Sequence, residues 1–185
     1  MVSDIFRHLG IPVYDADSEA RILTETDEEI KSEIKKYFDN EVFLSDGSLD
    51  RAKLASLVFS DRKKLTQLNS IIHPFVKKHF EGWLQRHNKS KYIIKEAAIL
   101  FESESDKGLD KIICVTAPEK IRIQRVMARD NTDEKKVRSI MGNQMSEEER
   151  IKRSDFIITN DDRTLVIPQV LELHSLLSNE AAHPT

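Results

Sequence analysis

Two acids two positions apart, Asp15 and Asp17, follow the short apolar run Pro12-Val13-Tyr14. Carboxylates at the end of a strand can accept a proton from an attacking hydroxyl, or hold water and Mg²⁺. The same acids can simply cap the next helix. A second group is basic: Arg125, Arg129, Arg138, Arg150 and Arg153, with Gln124 and Gln144 among them. On helices beyond a strand such arginines suit a lid over phosphates, because a guanidinium donates two parallel hydrogen bonds to an oxyanion. A solvated helix face laced with i,i+4 pairs is the alternative. The lone cysteine, Cys114, lies in the run Ile112-Ile113-Cys114-Val115 and reads as a core thiol rather than a nucleophile.

The elements that must hold these groups follow from periodicity. Val2, Ile5, Phe6 and Leu9 form one apolar helix face that stops at Gly10. A strand through Pro12-Val13-Tyr14 leads to a helix capped by Asp17 or Ser18. From about 26 to 87 the pattern is helical and charged, with Ile30, Ile34 and Phe38 on one face, a turn at 45–48, a helix from Leu49 to Phe59 and another opened by Asp61. His73-Pro74 is expected to break or kink that last helix. Three buried strands then begin at Tyr92, Lys111 and Asp155. Between the last two lie helices from Pro118 to Arg129, Asp133 to Met141 and about Ser146 to Ser154, the last opened by a capping box of Ser146 and Glu149. A final helix from about Thr164 to Leu177 precedes a disordered tail at 179–185. Short apolar strands alternating with helices imply an α/β fold, a parallel sheet covered on both faces.

The composition, 39% hydrophobic and 33% charged, is that of a soluble globular protein. A net charge of -3 gives no field that would attract nucleic acid or an anionic membrane. One cysteine excludes an internal disulfide, which suits a reducing cytoplasm. No run approaches the roughly 18 apolar residues of a membrane span. A soluble intracellular protein is expected.

Taken in order, several segments resemble the dephospho-coenzyme A kinase family. They are Gly10 to Asp17, Phe59-Ser60-Asp61, Leu68 to Val76, Ile99-Leu100-Phe101-Glu102, Val115 to Pro118, Gln124-Arg125, Met127 to Asp130, Gln144-Met145, Arg153 and Asp155 to Asp161. The resemblance implies a three-layer P-loop kinase-like fold with an inserted helical acceptor lobe at about 26–87 and lid helices at about 118–154. It implies transfer of the γ-phosphate of ATP, with Mg²⁺, to the ribose 3′-hydroxyl of dephospho-CoA. Asp17 would take the hydroxyl proton, and Asp15 would support Mg²⁺ through water. His73, Phe101 and Glu102 would belong to the substrate side, with a buried structural role open for His73. Arg129 would grip phosphates, Arg153 would be a second such arginine, and Asn160 and Asp161 would lie near the adenine. ATP and dephospho-CoA are the expected partners, with oligomeric state left open.

The resemblance also implies an opening strand and a loop of the form G-x-x-x-x-G-K-[ST]. None of the five glycines, at 10, 47, 82, 108 and 142, precedes Lys-Ser or Lys-Thr. About fifteen residues of the usual start are therefore expected upstream of Met1, as a misplaced start or a shortened chain. The opening strand would lie mid-sheet, so its loss would leave unpaired edges. Another small-molecule P-loop kinase, or a non-catalytic binder of a CoA-like ligand, are the competing readings.

Overall fold

The computed structural model describes residues 1–38, 40–59 and 61–181. Its elements are α1 (Val2–His8), β1 (Val13–Asp15), α2 (Ala16–Thr26), α3 (Glu28–Phe38), a 3-10 turn (Asn40–Val42), α4 (Arg51–Phe59) and α5 (Arg62–Arg86). They continue as β2 (Ile94–Glu96), β3 (Ile113–Thr116), α6 (Glu119–Asp130), α7 (Glu134–Met141), α8 (Glu147–Lys152), β4 (Phe156–Thr159) and α9 (Val166–Glu180). The chain divides into two compact units, one of residues 1–12 and 98–185 and one of residues 13–97.

In the 13–97 unit, β1 and β2 pair in parallel with Val13 opposite Ile94 and Asp15 opposite Glu96. The helices build their own core from Ile30, Ile34, Phe38, Val42, Leu54, Val58, Leu68 and Ile71. The i, i+4, i+8 spacing in α3 puts its three apolar residues on that face, and burying each contributes about 1.5–3 kcal/mol. Asp27 and Asp61 cap α3 and α5 by accepting backbone N–H bonds. Ser60, part of one motif named above, lies outside the described residues.

Of the break or kink expected at Pro74, the break is corrected: α5 is one helix from Arg62 to Arg86 with the proline inside it. Packing of α2, α3 and α4 along α5 outweighs the local preference of His73 for extended backbone. The strand expected from Tyr92 is only Ile94–Glu96 and is half-buried to exposed rather than buried.

In the other unit, β3 and β4 pair in parallel from Ile113 opposite Phe156 to Thr116 opposite Thr159. Phe6 of α1 and Val170 and Leu173 of α9 are buried, and α1 packs on α9. The expectation of strands covered on both faces is corrected here, since Val115 and Ile157 are 46% and 49% exposed. A two-stranded sheet gives each strand an open edge, and side chains there stay partly wet. Strands are parallel throughout, as expected, but they form two pairs among the described residues rather than one sheet. Pro118 is the N-cap of α6 instead of its first helical residue, and α9 reaches Glu180, past the point where the tail was expected to begin. Residues 182–185 lie outside the described residues.

Candidate active site

Asp15 ends β1 in extended backbone and is itself the N-cap of α2, as the capping reading of the two acids allows, while Asp17 and Ser18 lie inside the helix. One carboxylate oxygen accepts the Ser18 N–H at 3.0 Å and the other accepts the Ser18 hydroxyl at 2.8 Å. Asp17 falls in the first turn of α2, where the helix dipole favours an anion. Because β1 and β2 are parallel and in register, Asp15 and Glu96 mark the same carboxyl end of the pair. That end is where α/β sheets present ligand-binding groups. Sequence reading passed over Glu96, whose link to Asp15 exists only through strand register. His73 is half-buried on α5, and burial lowers its pKa, which favours the neutral ring.

In the other unit, β3 and β4 end together at Thr116 and Thr159, and the Asn160 N–H donates to the Thr116 carbonyl at 2.8 Å. Asp161 then turns the chain: its carboxylate accepts the N–H groups of Arg163 at 3.0 Å and Thr164 at 2.8 Å. Those bonds, Thr164 first, hold its pKa below the ordinary value. Asp162 adopts a left-handed backbone with φ 66°. Arg125 of α6 donates to the Asn160 side chain at 3.2 Å and pairs with Asp162. Beside this loop lies a mostly apolar cavity of about 580 Å³, lined by Met1, Ile5, Asn160, Asp162, Leu165 and Pro168 among others. Such a hollow suits a flat heterocycle with a polar edge.

The remaining residues are engaged with one another. Glu102 accepts the Met145 N–H at 2.6 Å. Arg153 lies over the Phe101 ring at 4.2 Å and pairs with Asp106 at 3.1 Å. Thr116 donates its hydroxyl to Glu147, which also receives Arg122 at 2.8 Å. Arg150 keeps a buried Nε with no hydrogen-bond partner among the described residues. Arg129, at the end of α6, is 74% exposed and folds in a fork onto Asp130 at 2.7 and 2.9 Å. The structure thus gathers Asn160, Asp161 and Arg125 at one loop, and Phe101 with Arg153, while Arg129 stands with Asp130. The roles of Arg125 and Glu147 were missed in the sequence because their partners lie 25 to 37 residues away. Cys114 is buried, and burial raises its thiol pKa.

Among the described residues no group of three His, Cys, Asp or Glu could hold a metal. Mg²⁺ carried on ATP would take one or two carboxylates beside waters and phosphate oxygens; both Asp15 oxygens already accept bonds from Ser18, so Asp15 would meet such an ion through water. No helix among the described residues is long and apolar enough to cross a membrane.

Parallel strands each leading into helix or turn, with acids at one carboxyl end and arginine-bearing helices after β3, define an α/β fold of the P-loop kinase type. The family model described as "Dephospho-CoA kinase" matches residues 1–165. A dephospho-CoA kinase of Bacteroides fragilis is 37% identical over 177 residues, spanning 96% of this chain and 86% of that protein. One from Bacillus cereus is 34% identical over 174 residues, spanning 93% and 87%. A Thermus thermophilus crystal structure superposes with TM-score 0.81 at 32% identity, covering 96% of this chain and 89% of the other. The dephospho-CoA kinase of Campylobacter jejuni, at TM-score 0.67 and 23% identity, covers 96% and 90% and shares the fold. The chain belongs to the dephospho-CoA kinase family.

Proposed function

We propose that the protein phosphorylates the ribose 3′-hydroxyl of dephospho-CoA with MgATP, the reaction that completes coenzyme A. The observation that carries this reading, within the family, is the division of labour between two acids. Asp15 caps α2 through Ser18, while Asp17 lies in the first turn of that helix, just past the carboxyl end of β1, and takes the catalytic part. In the reaction the hydroxyl oxygen attacks the γ-phosphorus, its proton passes to the Asp17 carboxylate, and the bond to the β–γ bridging oxygen breaks to release ADP. Mg²⁺ bound with ATP would supply charge neutralisation at the phosphate oxygens.

Residues 26–87 serve as the acceptor lobe, with His73 part of its wall, and 118–154 as the lid. The cavity beside Asn160 and Asp162 takes the adenine of ATP, with Arg125 holding its rim and Asp161 shaping the turn. Arg129 leaves Asp130 for a phosphate when ATP is bound. Phe101, Glu102 and Arg153 act by fixing the lid's last helix, α8, from the 98–106 turn. ATP and dephospho-CoA as substrates place the work in the cytoplasm.

A second reading has one observation in its favour: no Gly-Lys-Ser or Gly-Lys-Thr run occurs in the 185 residues. That loop supplies backbone amides, a lysine and a hydroxyl to the phosphates, and transfer depends on such positioning. A polypeptide limited to these residues is then a weak catalyst or a binder alone. The test compares it with a loop-bearing form, lengthened before Met1 by a strand and the family's G-x-x-x-x-G-K-[ST] loop. Turnover by the loop-bearing form alone supports the kinase reading. Equal, robust turnover by both lengths overturns the account of phosphate binding, and none by either overturns the kinase reading.

A further inference from the structure

Tyr14 stands directly before Asp15, and its side chain is 1% exposed. Its ring packs against His79, Phe80 and Trp83 of α5, with centroids 5.8, 4.8 and 5.4 Å away. A phenol so deep needs partners for its hydroxyl. It has two on α5, the Val76 carbonyl at 3.3 Å and Nδ1 of His79 at 3.1 Å. The same Nδ1 lies 3.6 Å from a carboxylate oxygen of Glu19, in the first turn of α2. Burial first, and the Glu19 charge second, push the Tyr14 pKa up to about 12, so the phenol keeps its proton.

One tautomer of the neutral ring suits these groups best. The Val76 carbonyl only accepts, so Tyr14 donates to it, leaving the phenol oxygen as an acceptor. The Glu19 carboxylate also only accepts. A hydrogen on Nδ1 then donates to the phenol oxygen at 3.1 Å, and the Glu19 carboxylate, 3.6 Å away, adds a charge attraction without a hydrogen bond. With the proton on Nε2 alone, a bare Nδ1 lone pair would face a carboxylate, and Tyr14 would have one proton for two acceptors.

We propose that His79 is a positioning residue, held in the Nδ1–H form, which through Tyr14 and Glu19 fixes the β1–α2 junction and with it the aim of Asp17. The first turn of α2 is tied at Ser18 to Asp15 and at Glu19 to α5. Asp17 precedes both tied residues. The link to catalysis rests on Asp17 being the proton acceptor, whereas the tautomer and the hold on α2 do not.

The first test is nitrogen-15 NMR of the histidine-labelled 185-residue chain at about pH 8, where an ordinary histidine is neutral. Loss of one signal pair in His79→Asn assigns the residue. A protonated Nδ1 is expected; an unprotonated Nδ1 overturns the proposal. The second test is hydrogen exchange at the amides of Ser18 and Glu19. His79→Leu should speed it, while His79→Asn, whose amide N–H reaches the place of Nδ1–H, should retain the protection. The third is turnover of the loop-bearing form. His79→Leu should lower kcat by about 10- to 100-fold at unchanged KM, and Asn should restore it to within about threefold. Added to Asp17→Asn, His79→Leu should cost nothing more. Equal losses for Leu and Asn, or no loss for Leu, overturn the positioning role. If Asp17→Asn is itself fully active, the proposed base is wrong, and the tautomer and exchange results still decide the hold on α2.

Discussion

The guanidinium carbon of Arg153 lies 4.2 Å from the centre of the Phe101 ring while one of its nitrogens pairs with Asp106 at 3.1 Å. Two motif segments about fifty residues apart are thereby clasped, since Arg153 is the C-cap of α8 and Phe101 belongs to the turn after β2. Glu102 adds a second clasp through the Met145 N–H. Both sit in a unit whose sheet has two strands among the described residues.

Replacing Arg153 by lysine keeps the charge and removes the planar face. The expected result is a stability loss of about 0.5–1 kcal/mol with little change in ATP affinity. Thermal unfolding and nucleotide titration check it. An affinity loss without a stability loss would move Arg153 from the clasp to the phosphates.

Asp17→Asn keeps shape and removes the proton acceptor. Turnover of the loop-bearing form should fall by roughly 10²–10⁴-fold, with stability and ATP affinity nearly unchanged. Near-normal turnover would leave Asp17 as a residue of the helix start only.

Arg129 is forked onto Asp130 at the surface, and it must exchange that partner for a phosphate to act. Arg129→Lys should therefore lower kcat more than it weakens ATP binding, because an ammonium cannot reproduce the fork. Full activity with lysine would return Arg129 to the role of a surface ion pair.

His73 bears on stability as pH falls. Its folded pKa lies below the ordinary 6.5 because of burial, so the unfolded chain takes up the proton first. Stability is thus unaffected above that ordinary value and declines as pH drops through and below it. Melting temperatures of the wild type should fall more between about pH 7.5 and 5.5 than those of His73→Gln. Equal falls would mean that other groups set the acid response.

Much of this was legible in the sequence wherever the signal was local. Asp61, Asp133 and Ser146 cap the helices that follow them, and the Ile30-Ile34-Phe38 stripe lies in a core. Local rules failed where distant packing decides, as at Pro74, which α5 absorbs because three helices lie along it. They left open which of Asp15, Asp17 and Ser18 caps α2, a choice that depends on where β1 ends. The acids and the arginines were visible as types. Their partners were not: Tyr14 to His79 spans 65 positions, and Arg125 to Asp162 spans 37. No periodicity encodes such pairs.

We hold that this chain belongs to a kinase that acts on the ribose of dephospho-CoA. The most direct measurement incubates the loop-bearing form with MgATP and either dephospho-CoA or a panel of nucleosides and nucleotides, and identifies each product by mass and phosphate position. The account predicts coenzyme A bearing its new phosphate at the ribose 3′ position, at a rate well above any other acceptor. Phosphorylation of a nucleoside or nucleotide with dephospho-CoA left unchanged would contradict it.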